Sequence, residues 1–412
     1  MKVAHLLRKC DPDEWGGTET YLLRLVEALR GLGVQSVLFS PRLRGASDRP
    51  DPFERAGFPN RRFHALLPIL GLDRERRAQA WAVGGNLLSA DAPIRLALEP
   101  AVDLIHTHAL NRLGGVARTV ARLRGLPYVV SIHGGVTALD PAEALRMSRP
   151  GGFDWGRPYG LLVGSRRVLQ DADAIVTFNE VEAKGLRERY PAQRVVTIPH
   201  GIPLDAFRRD QRGAAWTAYP VVRDRRVLLA VGRVHPAKNQ RFLIECLPRL
   251  AQRYPDVLLV LVGPVNDPEY ERALHREAAS LRVEDHVLWA GELPPDDPRL
   301  IGLYQVAEAV VLASRLEAFG LTLVEALAAG TPVVASRTPG ASSIVRAGRD
   351  GFLFDLDDAE AFCAAVGRIL DDQDLRARLA QHAQVRAREY DLGLCARRTL
   401  ALYEEVLKER RR

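Results

Sequence analysis

Short apolar, β-branched runs alternate with amphipathic stretches along almost the whole chain. KVAHLL (2–7) reads as a first strand. Behind it, TETYLLRLVEALRGLG (18–33) sets Tyr21, Leu22, Leu25, Val26 and Leu29 on one helical face, and Gly31 and Gly33 end it. VQSVLFS (34–40), VDLIHTH (102–108), PYVVSIH (127–133), DAIVTF (173–178) and RVVTIPHG (194–201) continue as strands, with helical segments between most of them. The pattern then restarts with RVLLAVGR (226–233), VLLVLVG (257–263), HVLWAG (286–291), EAVVLAS (308–314) and TPVVAS (331–336). Helical segments around 239–254, 268–282, 320–329 and 358–389 separate these runs. Residues 202–224 have no clear period and read as a linker between the halves. CARRTLALYEEVLKERRR (395–412) reads as a last helix after the break YDLG, able to finish the second half or cross back to the first.

Repeated βα units imply parallel sheets with helices on both faces. The expected fold class is α/β: two Rossmann-like, doubly wound domains, 1–201 and 202–389, facing each other across a cleft, with 390–412 as a C-terminal helix. Ligands in such sheets sit at the C-terminal ends of the strands, which places the expected site in the cleft.

Composition narrows the class. The chain has 412 residues, 47% of them hydrophobic and 26% charged, ordinary values for a globular protein. No run approaches the ~18 uninterrupted apolar residues of a spanning helix. The N-terminus lacks the long apolar region of a signal peptide. Cys10, Cys246, Cys363 and Cys395 are too few and too scattered for a disulfide framework or a zinc site. A soluble, cytoplasmic protein is expected. Lys+Arg 58 against Asp+Glu 51 leaves a net charge of +7. Only five of the basic residues are Lys, namely Lys2, Lys9, Lys184, Lys238 and Lys408. The skew toward Arg fits a GC-rich coding habit as well as it fits an anionic partner, so charge alone does not choose.

SRLEAFGLTLVEALAAGTPVVAS (314–336) is the most specific stretch. A strand ends in a loop with Glu317 and Ala318, and a helix starts near Gly320 and carries Glu325. Backbone N–H groups of Phe319, Gly320 and Leu321 at that N-terminus suit a diphosphate, and the two carboxylates suit vicinal hydroxyls of a sugar and a ribose. In LLAVGRVHPAKNQRFLIECL (228–247), Arg233 and Lys238 sit around a strand-to-helix turn where phosphate binds, although the P-loop pattern is absent. Gly16 and Gly17, between the first strand and first helix, let backbone amides face a ligand. A glycine pair before a helix is common, so this signal is weak alone. His108 and His133 end strands of the first half. His133, before Gly134 and Gly135, reads as a hydrogen-bond donor to a sugar hydroxyl, while His108 serves structure as readily as chemistry. No carboxylate or thiol stands at ligand spacing from His106 and His108, so no metal site is expected. His200 lies beside the linker and reads as a hinge residue.

Together these motifs resemble the retaining family 4 glycosyltransferases of GT-B fold. Glu317-x7-Glu325 resembles the family's EX7E signature, and GRVHPAKNQ its GR-x4-K-N segment. The WGGTE turn, the DLIHTH and VVSIHGG strand ends and TIPHGI follow in the family's order, so the likeness covers essentially the whole chain. The resemblance implies that Arg233 and Lys238 bind the donor diphosphate. It implies that Glu317, with the Phe319 and Gly320 amides, binds the donor sugar, and that Glu325 holds the ribose. Gly17 then approaches the phosphates and His133 the sugar. One departure is Ser343 in TPGASSIV, where the family writes Glu.

The implied reaction is hexose transfer from a UDP- or GDP-sugar to a sugar, glycolipid or polysaccharide-precursor acceptor, with retention and without a metal ion or separate cofactor. The acidic pairs Asp11/Asp13 and Asp171/Asp173 are discounted as metal motifs. The alternatives are a non-hydrolysing nucleotide-sugar epimerase and a non-catalytic nucleotide-sugar-binding protein. A nucleic-acid binder finds no interleaved aromatic platform. The segment 41–80 carries nine Arg against five acidic residues, and includes FHALLPILGL (63–72). It reads either as a solvated insertion or as a peripheral contact with an anionic membrane.

Overall fold

Every strand of the two main sheets pairs in parallel, as near-continuous apolar runs buried on both faces require. The computed structural model describes the chain apart from residues 13–14, 43–49, 74–75, 78–79, 82–85, 134–151 and 411–412. Asp13, Gly134, Gly135 and part of the basic 41–80 segment lie outside the described residues. The chain divides into two compact units, 1–201 with 393–412, and 202–392.

Unit 1 contains strands β1 (Lys2–Leu6), β2 (Gln35–Pro41), β3 (Asn60–Phe63), β4 (Ile69–Leu70), β5 (Leu104–Thr107), β6 (Tyr128–Ser131), β7 (Phe153–Asp154), β8 (Ala174–Thr177) and β9 (Val195–Thr197). Its seven-stranded sheet has the order β3-β2-β1-β5-β6-β8-β9, and β4 pairs separately with β7 in antiparallel fashion. Helix α1 (Gly17–Gly31) buries Tyr21, Leu22, Leu25, Val26 and Leu29, the face its periodicity predicts. Helix α2 (Asn111–Arg124) ends at Gly125 in the left-handed conformation. Asp173 precedes β8 and accepts the Tyr128 N–H at 2.8 Å, while Asp171 binds Arg118 and Arg167. This acidic pair therefore ties the N-terminal edge of the sheet.

Unit 2 contains β10 (Arg226–Val231), β11 (Val257–Val262), β12 (Val287–Gly291), β13 (Ala309–Leu312), β14 (Val333–Ser336) and β15 (Gly351–Phe354), in the order β12-β11-β10-β13-β14-β15. Helices α3 (Gln240–Arg253), α4 (Leu321–Ala329) and α5 (Pro339–Ile344) follow β10, β13 and β14. The core gathers Leu228, Leu259 and Val311 of the sheet with Leu243, Leu247 and Leu250 of α3. In both units the strand order reverses once, between β1 and β5 and between β10 and β13.

The structure corrects the expected linker. Residues 202–224 form helices Leu204–Arg208 and Arg212–Ala218 and a 3-10 turn Pro220–Asp224, each too short to display a period. They are built into unit 2, where the Gln305 side-chain amide donates to the carbonyls of Phe207 and Arg209 at 2.8 and 2.7 Å. The expected helix 358–389 breaks at Asp372, whose side chain caps the second part, Gln373–Ala387. Strands β3, β4, β7 and β15 were not expected; β3 reads NRRF and offers one apolar residue. The last helix, α6 (Leu392–Arg410), carries Tyr403, whose hydroxyl lies 2.6 Å from His106 Nδ1.

All four cysteines are buried, and none is in a disulfide. Gly263, at the end of β11, has φ +147°, and a Cβ there would fall 2.2 Å from the Gly232 carbonyl oxygen. Gly263→Ala should therefore destabilise unit 2 by about 2–4 kcal/mol and lower its melting temperature by roughly 5–10 °C. A calorimetric scan checks this, and an unchanged melting temperature refutes the close packing of these two turns.

Candidate functional site

At the reversal point of the second sheet, two loops leave β10 and β13 side by side. The first runs through Gly232 and Arg233 to the 3-10 turn Pro236–Lys238. His235 caps that turn, its Nδ1 accepting the Ala237 N–H at 3.1 Å. Burial first, and then the Arg233 charge, lowers the His235 pKa. Asn239, at φ 54°, then starts α3. Gln240 holds the loop from behind by donating to the Arg233 carbonyl at 2.8 Å, and Arg233 itself is exposed.

The second loop carries Glu317, Ala318, Phe319 and Gly320. It is joined to the first by the Arg315 N–H donating to the Ala237 carbonyl at 2.9 Å. The Gly340 N–H of α5 donates to the Glu317 carbonyl at 2.9 Å. The backbone is thus fixed on both sides of Glu317. Across the loops, Lys238 Nζ donates to Glu317 Oε2 at 2.5 Å, both side chains being partly buried. The two residues that separate motifs assigned to diphosphate and sugar are brought into one ion pair. A partly exposed pair of this kind contributes little net stability, so it can be exchanged for a ligand at small cost.

Helix α4 begins at Leu321 behind Gly320, which takes φ +98°, a conformation that only glycine adopts without strain. Its N-cap, Gly320, has no side chain to cap it. Its N-terminus, close to Glu317 in the chain, is the kind of backbone end that suits an anion. Glu325, one turn on, is 4% exposed, and the Tyr304 hydroxyl donates to its Oε2 at 2.9 Å. Tyr304 carried no motif and was missed. Only the tertiary structure brings its hydroxyl to Glu325. Ser343 turns its hydroxyl into its own helix, donating to the Gly340 carbonyl at 2.7 Å, and its carbonyl accepts from Arg386 at 3.1 Å.

In unit 1, α1 starts at Gly17 with Gly16 as N-cap. The buried Glu19 carboxyl folds back onto this end and hydrogen-bonds the Gly16 backbone. Burial raises its pKa, opposed by the charge of Arg8 and Lys9. The Gly16 amide is therefore engaged within the unit, a competitor that the glycine signal did not reveal.

The histidines form a cluster that no spacing showed. His5 and His106 are ladder partners on β1 and β5. His5 Nδ1 lies 3.3 Å from His108 Nε2, and His108 Nδ1 lies 2.9 Å from His133 Nε2. His200, expected at a hinge, stands one residue before the last residue of this part of unit 1 and packs against Tyr21 and Phe178, with ring centroids 4.2 and 3.9 Å away. His5, His106 and His108 each bring a ring nitrogen within 4.8 Å of the others, a set capable in kind of holding a transition-metal ion. The nitrogens of His106 are already hydrogen-bonded to Tyr403 and Ser131 at 2.6 and 2.7 Å.

Comparison with known proteins places this arrangement. The model of the glycosyl transferase 4-like domain matches residues 16–201, and that of glycosyl transferases group 1 matches 218–386. The chain is 31% identical to D-inositol 3-phosphate glycosyltransferase 2 of Catenulispora acidiphila, over 96% of this chain and 91% of the other. The chain belongs to this glycosyltransferase family. It is also 32% identical to the D-inositol 3-phosphate glycosyltransferase of Acidothermus cellulolyticus, over 75% of this chain and 68% of that one. Among solved structures, sucrose-phosphate synthase from Thermosynechococcus elongatus is similar with a TM-score of 0.75 at 24% identity, covering 99% of this chain and 100% of that one. HepE from Anabaena in complex with UDP is similar with a TM-score of 0.72 at 20% identity, covering 97% and 99%. The fold of this glycosyltransferase is thus GT-B.

The histidine cluster gives the glycosyltransferase an acid-sensitive core. Burial lowers the His5 pKa from 6.5 to about 3 and those of His106, His108, His133 and His200 well below 6.5. The unfolded chain takes up protons on these rings below 6.5 while the folded chain does not, so their contribution is complete above that pH and is lost as pH falls. His5 alone should give a slope of about 1.4 kcal/mol per pH unit below 6.5. Urea unfolding of unit 1 from pH 8 to 4.5, followed for the parent and for His5→Phe, checks this. Equal slopes in the two proteins refute it.

Proposed function

We propose that this glycosyltransferase moves a hexose from a nucleoside-diphosphate sugar to an acceptor hydroxyl, with retention at the anomeric carbon and without a metal ion. The observation that carries the reading is the Lys238–Glu317 pair beside the N-terminus of α4, which starts behind Gly320. A donor diphosphate takes Lys238, Arg233 and the helix N–H groups, including those of Gly320 and Leu321, as its counter-charge. Glu317, released from Lys238, accepts hydrogen bonds from sugar hydroxyls. Glu325, held by Tyr304, accepts from the ribose. His133 donates to the donor sugar. The leaving phosphate takes the acceptor's proton, so no protein nucleophile is required.

HepE has been solved with UDP and with UDP-glucose, which favours a UDP-hexose here. The relatives matched along nearly their whole length act on D-inositol 3-phosphate by name, which favours a phosphorylated polyol as acceptor. With UDP-glucose and D-inositol 3-phosphate, Lys238→Ala and Glu317→Gln should each reduce turnover by about 100-fold or more. Near-parental rates in either variant overturn the site assignment. Loss of activity in EDTA, restored by a divalent ion, overturns the metal-free reading. A product of inverted anomeric configuration, read by NMR, overturns retention.

A lipid-linked acceptor is the second reading, and a specific surface favours it. Phe153, Trp155, Leu161 and Leu162 of unit 1 are 69%, 44%, 70% and 79% exposed, and Arg157, Arg166 and Arg167 stand exposed in the same segment. Aromatic and aliphatic side chains among arginines suit the interface of an anionic bilayer. Co-sedimentation with vesicles rich in phosphatidylserine should occur at low salt and weaken at high salt. Absence of binding at low salt removes this reading and leaves the water-soluble acceptor.

A further inference from the structure

His5, His108 and His133 form a continuous line of rings in unit 1: His5 Nδ1 to His108 Nε2 at 3.3 Å, then His108 Nδ1 to His133 Nε2 at 2.9 Å. The rings of His5 and His108 are stacked at 5.6 Å between centroids. The nitrogens at the two ends, His5 Nε2 and His133 Nδ1, are buried and have no hydrogen-bond partner among the described residues. His106 stays out of the line, because Tyr403 and Ser131 hydrogen-bond its two nitrogens. Burial keeps the three rings neutral at pH 7, so each carries one N–H and one lone pair.

A neutral imidazole that donates through one nitrogen accepts through the other. The protons along this line therefore all run in one direction. In one direction every ring is protonated on Nδ1, and the terminal N–H is that of His133, a partly exposed residue two positions beyond β6. In the other direction every ring is protonated on Nε2, and the terminal N–H is that of His5, which is 0% exposed. A buried N–H without an acceptor is among the costliest polar defects in a folded protein. The first direction leaves the unpaired N–H on His133 Nδ1, itself buried but on the one residue of the three that is partly exposed, so that a sugar oxygen bound there would supply the acceptor it lacks.

We propose that His108, held by His5, is a positioning residue that fixes the proton of His133 on Nδ1, the form that donates a hydrogen bond to an oxygen of the bound sugar. The proposal rests on the reading of His133 as a donor-sugar contact, and it adds what makes His133 a donor rather than an acceptor. Free histidine in water prefers the Nε2–H form, so the expected state differs from the default. The line also explains why two histidines lie deep beside a residue that alone meets the ligand. His5 donates to His108 Nε2 and keeps the His108 proton on Nδ1. His108 in turn donates to His133 Nε2.

Long-range 1H–15N correlation of the full chain labelled at histidine reads each tautomer directly at pH 7.5. In the parent, His5, His108 and His133 should all be Nδ1–H, with that form of His133 exceeding the other by about tenfold. His108→Leu removes the donor to His133 Nε2 and should return His133 to mostly Nε2–H. His108→Asn places an amide N–H near the former Nδ1 and should restore the Nδ1–H form. His133 found as Nε2–H in the parent overturns the proposal even if the Leu variant fails to fold, and so does a Leu variant whose His133 remains Nδ1–H. Addition of UDP-glucose separates this from the reading beneath it. Tautomers as described, with no change at His133 Nδ1 on saturation, uphold the line and remove His133 from the donor site.

Discussion

Parallel pairing is the constraint on which both units depend. Parallel neighbours cannot be joined by a hairpin, so each crossover returns the chain to the same edge and all C-terminal strand ends of a sheet open the same way. Where the order reverses, at β1/β5 and at β10/β13, adjacent loops diverge and leave room between them. The polar chemistry of the protein collects at these two places. Lys238 and Glu317 come from the loops after β10 and β13, and the histidine line from β1 and the ends of β5 and β6.

The two carboxylates of unit 2 are held in different ways, and this difference suits their proposed tasks. Glu317 is partly exposed and paired with a flexible Lys side chain, a contact weak enough to be exchanged. Glu325 is buried and takes a hydrogen bond from Tyr304, so its orientation is set before a ligand arrives. The backbone beneath Glu317 is rigid by comparison, tied by Arg315 to the neighbouring loop and by Gly340 to α5. An exchangeable charge pair on a hydrogen-bonded frame suits the proposed entry of a diphosphate without rebuilding of the loops.

Much of this was legible in the chain. The central strands of both sheets are short apolar runs whose positions are readable to within a few residues, because burial on both faces leaves no room for polar residues. The stretch from Glu317 to Glu325 and the Arg233–Lys238 turn stood out because few structural demands call for those residue types at that spacing, and the structure brings Lys238 and Glu317 together. What was not legible was short or partnered at long range. The helices of 202–224 are too brief to show a period, and β3 is an edge strand with one apolar residue. Tyr304 is 21 positions from the Glu325 it orients, and Tyr403 is 297 from His106. Neither distance leaves a local trace.

The sequence by itself determined the class of the fold, the family resemblance, and the two carboxylates and two cations that are proposed to hold a nucleotide sugar. These follow from local periodicity and from motifs contained within a few consecutive turns. Only the tertiary structure decided which groups are engaged. It joined Lys238 to Glu317, filled the N-terminus of α1 with Glu19, drew His200 into the core and aligned His5, His108 and His133. The physical reason is that a side chain's hydrogen-bond partner and protonation are properties of its surroundings. In a parallel α/β unit those surroundings are assembled from strands far apart in the chain.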